Sequence, residues 1–393
     1  MIFSGMPLIM HNLVRLLAGV LVFGLAASTG VCETKVTPSI GVRGAYDDNT
    51  LGQGESDAEL MLSPAFKVEL ESEVTSLMLQ GRLDAFQYLD EDEFNRENAK
   101  LGVDVSHDLS ELLTVRMGAQ WVRDHTIEDE FDESGIVTET IARNSYSASP
   151  GLTLRLTERD ELALDGSANM VRYERSDSTD YNVFGLTSTL SHALGDGLWR
   201  IIGQAGGQRY SFDRPDGDTE QRVLTGLAGF AWKAMETLEF QVMGGFSQTS
   251  SEVNFDRGSS IDDDQLTFSG SVSATWTDEV WRLNLTADRS ESPSTYGELI
   301  TRDRLRASFG RNMSERLYLG LQLAWYMSST AGLVQDENTR TYSLGPTARY
   351  RLSEDSFVEG GYLFSREDNI EADEVTDRNR IYLNYVVELP FVL

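Results

Sequence analysis

The chain has 393 residues, with 63 acidic against 33 basic side chains and a formal net charge of −30. A chain this acidic has no basic face with which to neutralise phosphates, which excludes a nucleic-acid binder. Its one cysteine, Cys32, excludes an intrachain disulfide, and no linker rich in Pro, Gly or Ser divides the length into separate soluble domains.

Residues 1–32 read as a secretory signal peptide. Arg15 supplies the charge, 16–27 is apolar, and Ala26, Ala27, Ser28, Thr29 and Gly30 make a small-residue exit. The apolar run is shorter than the roughly 20 residues a transmembrane helix needs. Cleavage is expected between Ala27 and Glu33. It removes one positive charge, Arg15, and leaves 32 basic against 63 acidic residues, a net −31. Thr29-Gly30-Val31 before Cys32 lacks the pattern that lipid attachment favours.

Residues 33–393 read as one all-β unit. The first strand carries Pro38, Ile40, Val42, Gly44 and Tyr46 on one face. Farther on, Leu266, Phe268, Gly270, Val272, Ala274 and Trp276 oppose Thr267, Ser269, Ser271, Ser273 and Thr275. Trp281, Leu283, Leu285 and Ala287 alternate with Arg282, Asn284, Thr286 and Asp288. In 317–327, Leu317, Leu319, Leu321, Leu323, Trp325 and Met327 share an apolar face opposite Tyr318, Gly320, Gln322, Ala324 and Tyr326. A period of two over about ten residues is a strand with one apolar and one polar face.

Two kinds of connection alternate between these strands. Short ones fall at 71–73, 107–111, 157–161, 194–197, 234–237, 277–279, 313–316 and 353–356. Longer acidic ones are expected at 47–57, 89–95, 124–140, 174–180, 212–220, 249–264, 289–301, 330–339 and 366–378. Short turns at one end and long loops at the other are the plan of an outer-membrane barrel, periplasmic and extracellular respectively. Nine long loops predict about 18 strands in a closed antiparallel transmembrane β-barrel.

Tryptophans mark both expected bilayer interfaces: Trp199, Trp232, Trp276 and Trp281 near short turns, Trp121 and Trp325 near long loops. At the C-terminus Ile381, Leu383, Tyr385, Val387, Leu389, Phe391 and Leu393 form an unbroken apolar face. An edge so apolar is an aggregation hazard unless it closes onto the first strand. A terminal strand with Tyr385 and Phe391 near its tip also resembles the signal read by the outer-membrane barrel assembly machinery.

The opposite parity predicts the lumen: Arg43, Arg82, Asp84, Arg116, Arg155, Asp165, Arg282, Arg304, Arg306, Arg349, Arg351 and Glu359, with Lys67, Lys100, Asp104, Arg200 and Glu239. Charges like these need water or one another, and a barrel of 16–18 strands is wide enough for an aqueous passage. Pairing within the wall, as a purely structural device, is the competing reading.

An enzyme is disfavoured. Of four histidines His11 leaves with the signal, His107 and His192 fall at short turns, and His125 begins a long loop. None is spaced for a zinc site or a base–nucleophile pair, and no phosphate-cradling glycine motif occurs. No metal site and no cofactor is expected. The runs 128–133 and Asp262-Asp263-Asp264 offer hard oxygen ligands, but they match no defined calcium loop and read as solvated loops facing lipopolysaccharide.

In the first strand, Gly41-Val42-Arg43-Gly44-Ala45-Tyr46-Asp47-Asp48-Asn49-Thr50, with the recurring Leu-(Ser/Thr)-Glu-Arg turns, resembles the beta-barrel porin 2 family over about 35–393. The resemblance implies an outer-membrane exit for a secreted exopolysaccharide, working with a periplasmic or lipoprotein export partner. It supplies no catalytic residues. A general small-solute porin is the alternative, and a structural or adhesive barrel a third reading. General porins carry a long constriction loop folded inward. The longest expected loop, 124–140, is modest, which favours export.

Overall fold

The computed structural model describes residues 33–50, 54–91, 94–125, 141–174, 179–214, 217–255, 260–293, 299–329, 338–370 and 373–393. The expected signal peptide, Cys32 and the acidic run 128–133 lie outside these residues. Eighteen long strands follow one another: β1 (Glu33–Thr50), β2 (Glu55–Glu71), β3 (Thr75–Tyr88), β4 (Arg96–Ser110), β5 (Leu113–His125), β6 (Ala142–Arg155), β7 (Asp160–Tyr173), β8 (Asp180–Leu194) and β9 (Trp199–Arg214) in the first half. The second half adds β10 (Gly217–Met235), β11 (Leu238–Phe255), β12 (Ser260–Thr277), β13 (Trp281–Pro293), β14 (Leu299–Asn312), β15 (Leu317–Ser329), β16 (Asn338–Ser353), β17 (Ser356–Asn369) and β18 (Glu374–Glu388). A two-residue strand, β19 (Phe391–Val392), continues β18 beyond Pro390.

Each strand pairs antiparallel with the next, and β18 returns to β1 from Ser39↔Glu388 to Asp47↔Arg380. β19 keeps the same register, Lys35↔Val392 and Val36↔Phe391. The result is a closed antiparallel barrel of the outer-membrane type. A transmembrane sheet must close because hydrocarbon offers no partner to an open edge.

The register separates the two faces. Ile40, Leu60, Leu186, Leu224, Leu266 and Leu383 stand exposed on the outside. On β15, Leu321 lies opposite Phe309 and Pro346 on that outer face, while Gln322 lies opposite Ser308 and Gly345 on the inner one. Near one end of the barrel the Phe66 ring lies across Gly81, where any Cβ would collide with it.

The connections differ from the expected pattern at one end. Those at what we call the turn end are two to four residues long, as between β2 and β3 or β10 and β11. At the loop end, much of what reads as acidic loop is strand: β1 continues to Thr50, β9 and β10 are joined across 215–216, and Asp262-Asp263-Asp264 lies in β12, with Asp263 opposite Ser251. The same holds at 366–378, where β17 runs to Asn369 and β18 starts at Glu374. The reason is physical. Beyond the apolar belt a polar strand still satisfies its backbone by pairing, so strand and belt need not end together.

Candidate functional site: the lumen

By register every charged residue expected in the lumen lies on the inner face. Arg43 is on β1, Arg82 and Asp84 on β3, Arg116 on β5, Arg155 on β6 and Asp165 on β7. Arg282 is on β13, Arg304 and Arg306 on β14, Arg349 and Arg351 on β16, and Glu359 on β17. The six tryptophans lie on the outer face. Trp199 and Trp232 stack with centroids 5.2 Å apart, and the Arg311 guanidinium sits 4.2 Å from the Trp281 ring. Tyr385 and Phe391 are also outward and exposed.

From the middle of the wall to the turn end, the inner charges pair while keeping contact with solvent. Arg82 Nε is 2.7 Å from Asp84 Oδ1, and the Ser63 hydroxyl donates to the same carboxylate. Arg116 Nη2 reaches Asp165 Oδ1 at 3.2 Å, above Gly151 of the intervening strand. Arg349 Nη2 lies 2.6 Å from Glu359 Oε2, and Arg200 Nη2 lies 3.8 Å from Glu239 Oε1. The guanidiniums of Arg82, Arg116, Arg200 and Arg349 stay about half exposed.

The loop-end half is packed instead. Glu59 is the hub of one cluster: it accepts from Arg43 Nη2 at 2.8 Å, from Tyr88 Oη at 3.1 Å and from Arg380. The Arg96 guanidinium lies 4.4 Å from the Phe86 ring beside it. Arg378 Nη2 reaches Asp47 at 2.5 Å, and Arg143 Nε reaches Asp124 at 2.9 Å with both side chains buried. A second, apolar cluster joins Val171, Tyr181, Tyr210, Phe212 and Val223 from β7 to β10, with Leu299 of β14 against it.

Leu299 is there because the β13–β14 hairpin leans into the barrel. Its backbone N–H donates to Gln221 Oε1 of β10 at 2.9 Å, and Thr249 of β11 donates to Glu291 Oε2 at 2.6 Å. The segment expected as an ordinary loop at 289–301 therefore begins as paired strand and narrows the lumen. This inward hairpin weighs against the inference drawn from the modest length of 124–140. The Glu59 hub, Arg378 and Arg380 were not singled out from the sequence, although the parity of Ile381 and Leu383 already places both arginines inside. The hairpin leaves only a partial signal: Arg289 and Glu291 follow Ala287 on the parity of Trp281 and Leu283, which ends the apolar face but does not give the inward direction.

The histidines are held by local polar partners. His107 Nδ1 is 2.8 Å from Thr75 Oγ1, His192 Nδ1 is 2.7 Å from Asp160 Oδ1, and His125 Nδ1 is 3.0 Å from Asn98 Oδ1. Hydrogen bonds from Thr157 and then His192 hold the Asp160 carboxyl below its usual range. At the loop end, burial pushes His125 down to about 4, with Arg96 and Arg123 adding to the shift. Among the described residues no group of three or more His, Cys, Asp or Glu is placed to hold a metal.

Residues 132–255, under a third of the chain, match the family model described as "Putative MetA-pathway of phenol degradation". This is a different family from the one the first-strand motif resembles. No curated protein matches the chain. Among solved structures it is similar to the siderophore receptor PirA from Pseudomonas aeruginosa, at 11% identity over 90% of this chain and 80% of that one, TM-score 0.46. It is also similar to OccAB3 of Acinetobacter baumannii, at 12% identity over 92% and 100%, TM-score 0.44. A third is OpdK of Pseudomonas aeruginosa with vanillate, at 10% identity over 91% and 99%, TM-score 0.45.

Proposed function

We propose that the chain is an outer-membrane channel through which small hydrated polar solutes diffuse, with the loop end outside the cell and the turn end in the periplasm. The observation that carries this reading is the asymmetry of the lumen. A wet half lined by Arg82, Arg116, Arg200 and Arg349 leads into a half narrowed by the β13–β14 hairpin and the Tyr210–Phe212 cluster. Mixed charge attracts hydrated solutes without holding them, as conduction requires, and a narrowing sets a size limit. Purified protein in planar bilayers is expected to conduct, and in liposome swelling to admit monosaccharides while excluding long oligosaccharides. A silent bilayer, or equal permeation by both sizes, overturns the reading.

Exit of a secreted exopolysaccharide is the second reading. The long inner stripe of paired charges and hydroxyls such as Thr267, Ser269 and Thr275 favours it, because a sugar chain needs many weak hydrogen bonds. It requires the loop-end packing to withdraw, with an export partner at the turn end. A deletion strain with normal surface polymer rules it out. In either case the lipid-facing strand end carrying Tyr385 and Phe391 is the part the assembly machinery would read, and lipopolysaccharide would surround the loop end.

A further inference from the structure

The ladder between β12 and β13 stops early. Gly270–Thr277 pair with Arg289–Arg282, but beyond that point Ser260–Ser269 pair, among the described residues, with β11 alone. The wall next to this seam is strongly apolar outside, where Leu266 and Phe268 are 70% and 56% exposed. Phe268 meets Phe246 edge-on at 6.2 Å. An unpaired strand edge at the level of hydrocarbon is costly, so the seam calls for an explanation.

The hairpin provides it. β13 and β14 stay paired with each other as far as Pro293↔Leu299 while they leave the wall. Glu291 shares the outer face of β13 with Arg289 by alternation, yet it receives a hydrogen bond from Thr249 on the inner face of β11. The outer face of the hairpin therefore lies against the inner face of β10–β12, and the barrel wall overlaps itself. Between the layers is a cavity of about 390 Å³. One side is a hydroxyl track, Thr225–Ser247–Ser269, joined by hydrogen bonds of 2.8 Å. Of the charges lining the cavity, Asp288 pairs with Arg304 at 2.8 Å and Arg289 with Asp303 at 3.3 Å, while Glu291 accepts from the Thr249 hydroxyl.

We propose that this overlapped seam is a lateral portal, passing a neutral, hydroxylated amphiphile between the cavity and the bilayer. The hydroxyl track accepts and donates hydrogen bonds without selecting a net charge, so it suits a neutral polar head. Leu266, Phe246 and Phe268 offer an apolar path for the body. The route is separate from axial conduction and does not depend on it.

The test uses the full barrel in phospholipid nanodiscs with a diazirine-bearing alkyl glucoside as probe. Light-induced labelling is expected to concentrate at 246–248, 266–271 and 288–291, about tenfold above the outer face near Leu101 and Met117. Unlabelled alkyl glucoside should compete it away. Continuing the register Gly270↔Arg289 would bring Thr267 opposite Ser292, so oxidising the Thr267→Cys/Ser292→Cys variant zips the seam. Seam labelling should then fall about tenfold and return on reduction. Labelling spread evenly round the belt, or unchanged by zipping, overturns the proposal. Should the two cysteines not couple, hydrogen exchange decides. Successive amides of a strand point to opposite neighbours, so every second amide between Ser260 and Ser269 should exchange fast while β11 stays protected. Uniform protection of that stretch overturns the proposal.

Discussion

The two halves of the lumen are made from the same alternation and the same residue types, and they differ in what surrounds the charges. At the turn end, Arg116 and Asp165 are each 49% exposed in their ion pair; at the loop end, Arg143 and Asp124 are 4% and 7% exposed in theirs. A pair in water is screened and contributes about 0–1 kcal/mol. A buried pair is weak net stabilisation, yet taking away one partner strands the other and costs about 3–5 kcal/mol. The wet charges are thus free to act on a passing solute, whereas the buried ones hold the packed half together.

The largest expected effect breaks that contrast directly. Asp124→Ala should lose about 3–5 kcal/mol of stability, and Asp165→Ala no more than about 1 kcal/mol, read from urea unfolding in lipid vesicles. Equal losses would mean that the two halves are solvated alike. Next comes the wall itself: Leu321→Arg should cost about 2–4 kcal/mol near the midplane, while Gln322→Arg, on the wet face, should be mild. Equal tolerance in the same assay would show that the apolar face does not meet lipid.

Conductance sharpens the comparison further. Removing two rings from the narrowing, Tyr210→Ala with Phe212→Ala, should raise single-channel conductance about twofold. Replacing Arg116 and Arg349 with Gln should leave conductance nearly unchanged and move ion selectivity toward cations, measured as a shift in reversal potential. If the ring deletions change nothing, the narrowing lies elsewhere.

The smallest effect is on pH. His125 titrates near 4 in the folded chain, against 6.5 unperturbed. Between those values the unfolded chain binds a proton that the folded one refuses, so stability falls as pH drops through the window and is complete above about 6.5. His125→Gln should flatten that slope. A slope of the same size in the variant would assign it to carboxylates instead.

Much of this architecture was legible because parity is a local property. Each residue's face follows from its neighbours, so Leu321, Gln322, Arg304 and Glu359 could be placed without knowing what their strands pair with. Two features were not legible. Asp262-Asp263-Asp264 has the composition of a loop, and its pairing with β11 depends on a partner strand rather than on its own residues. The direction of the hairpin is the other: Arg289 and Glu291 end the apolar face of β13 at Ala287, which reads as a loop and does not say that the paired strands turn inward. What moves the hairpin is contact of Leu299 with Gln221, four strands away, and of Glu291 with Thr249, two strands away.

The closing pair of strands sets the order of events in assembly. Ser39 meets Glu388, and Asp47 and Asp48 are held by Arg378 and Asn379, contacts separated by more than 300 residues. Every other neighbouring pair is a hairpin and can form as soon as its two strands exist. Joining ends this distant costs about 2–3 kcal/mol more in chain entropy than closing a hairpin of some 20 residues. It becomes affordable only once the intervening strands are already side by side. Until then β1 must wait with one edge open, and the first strand translocated is the last to complete its ladder.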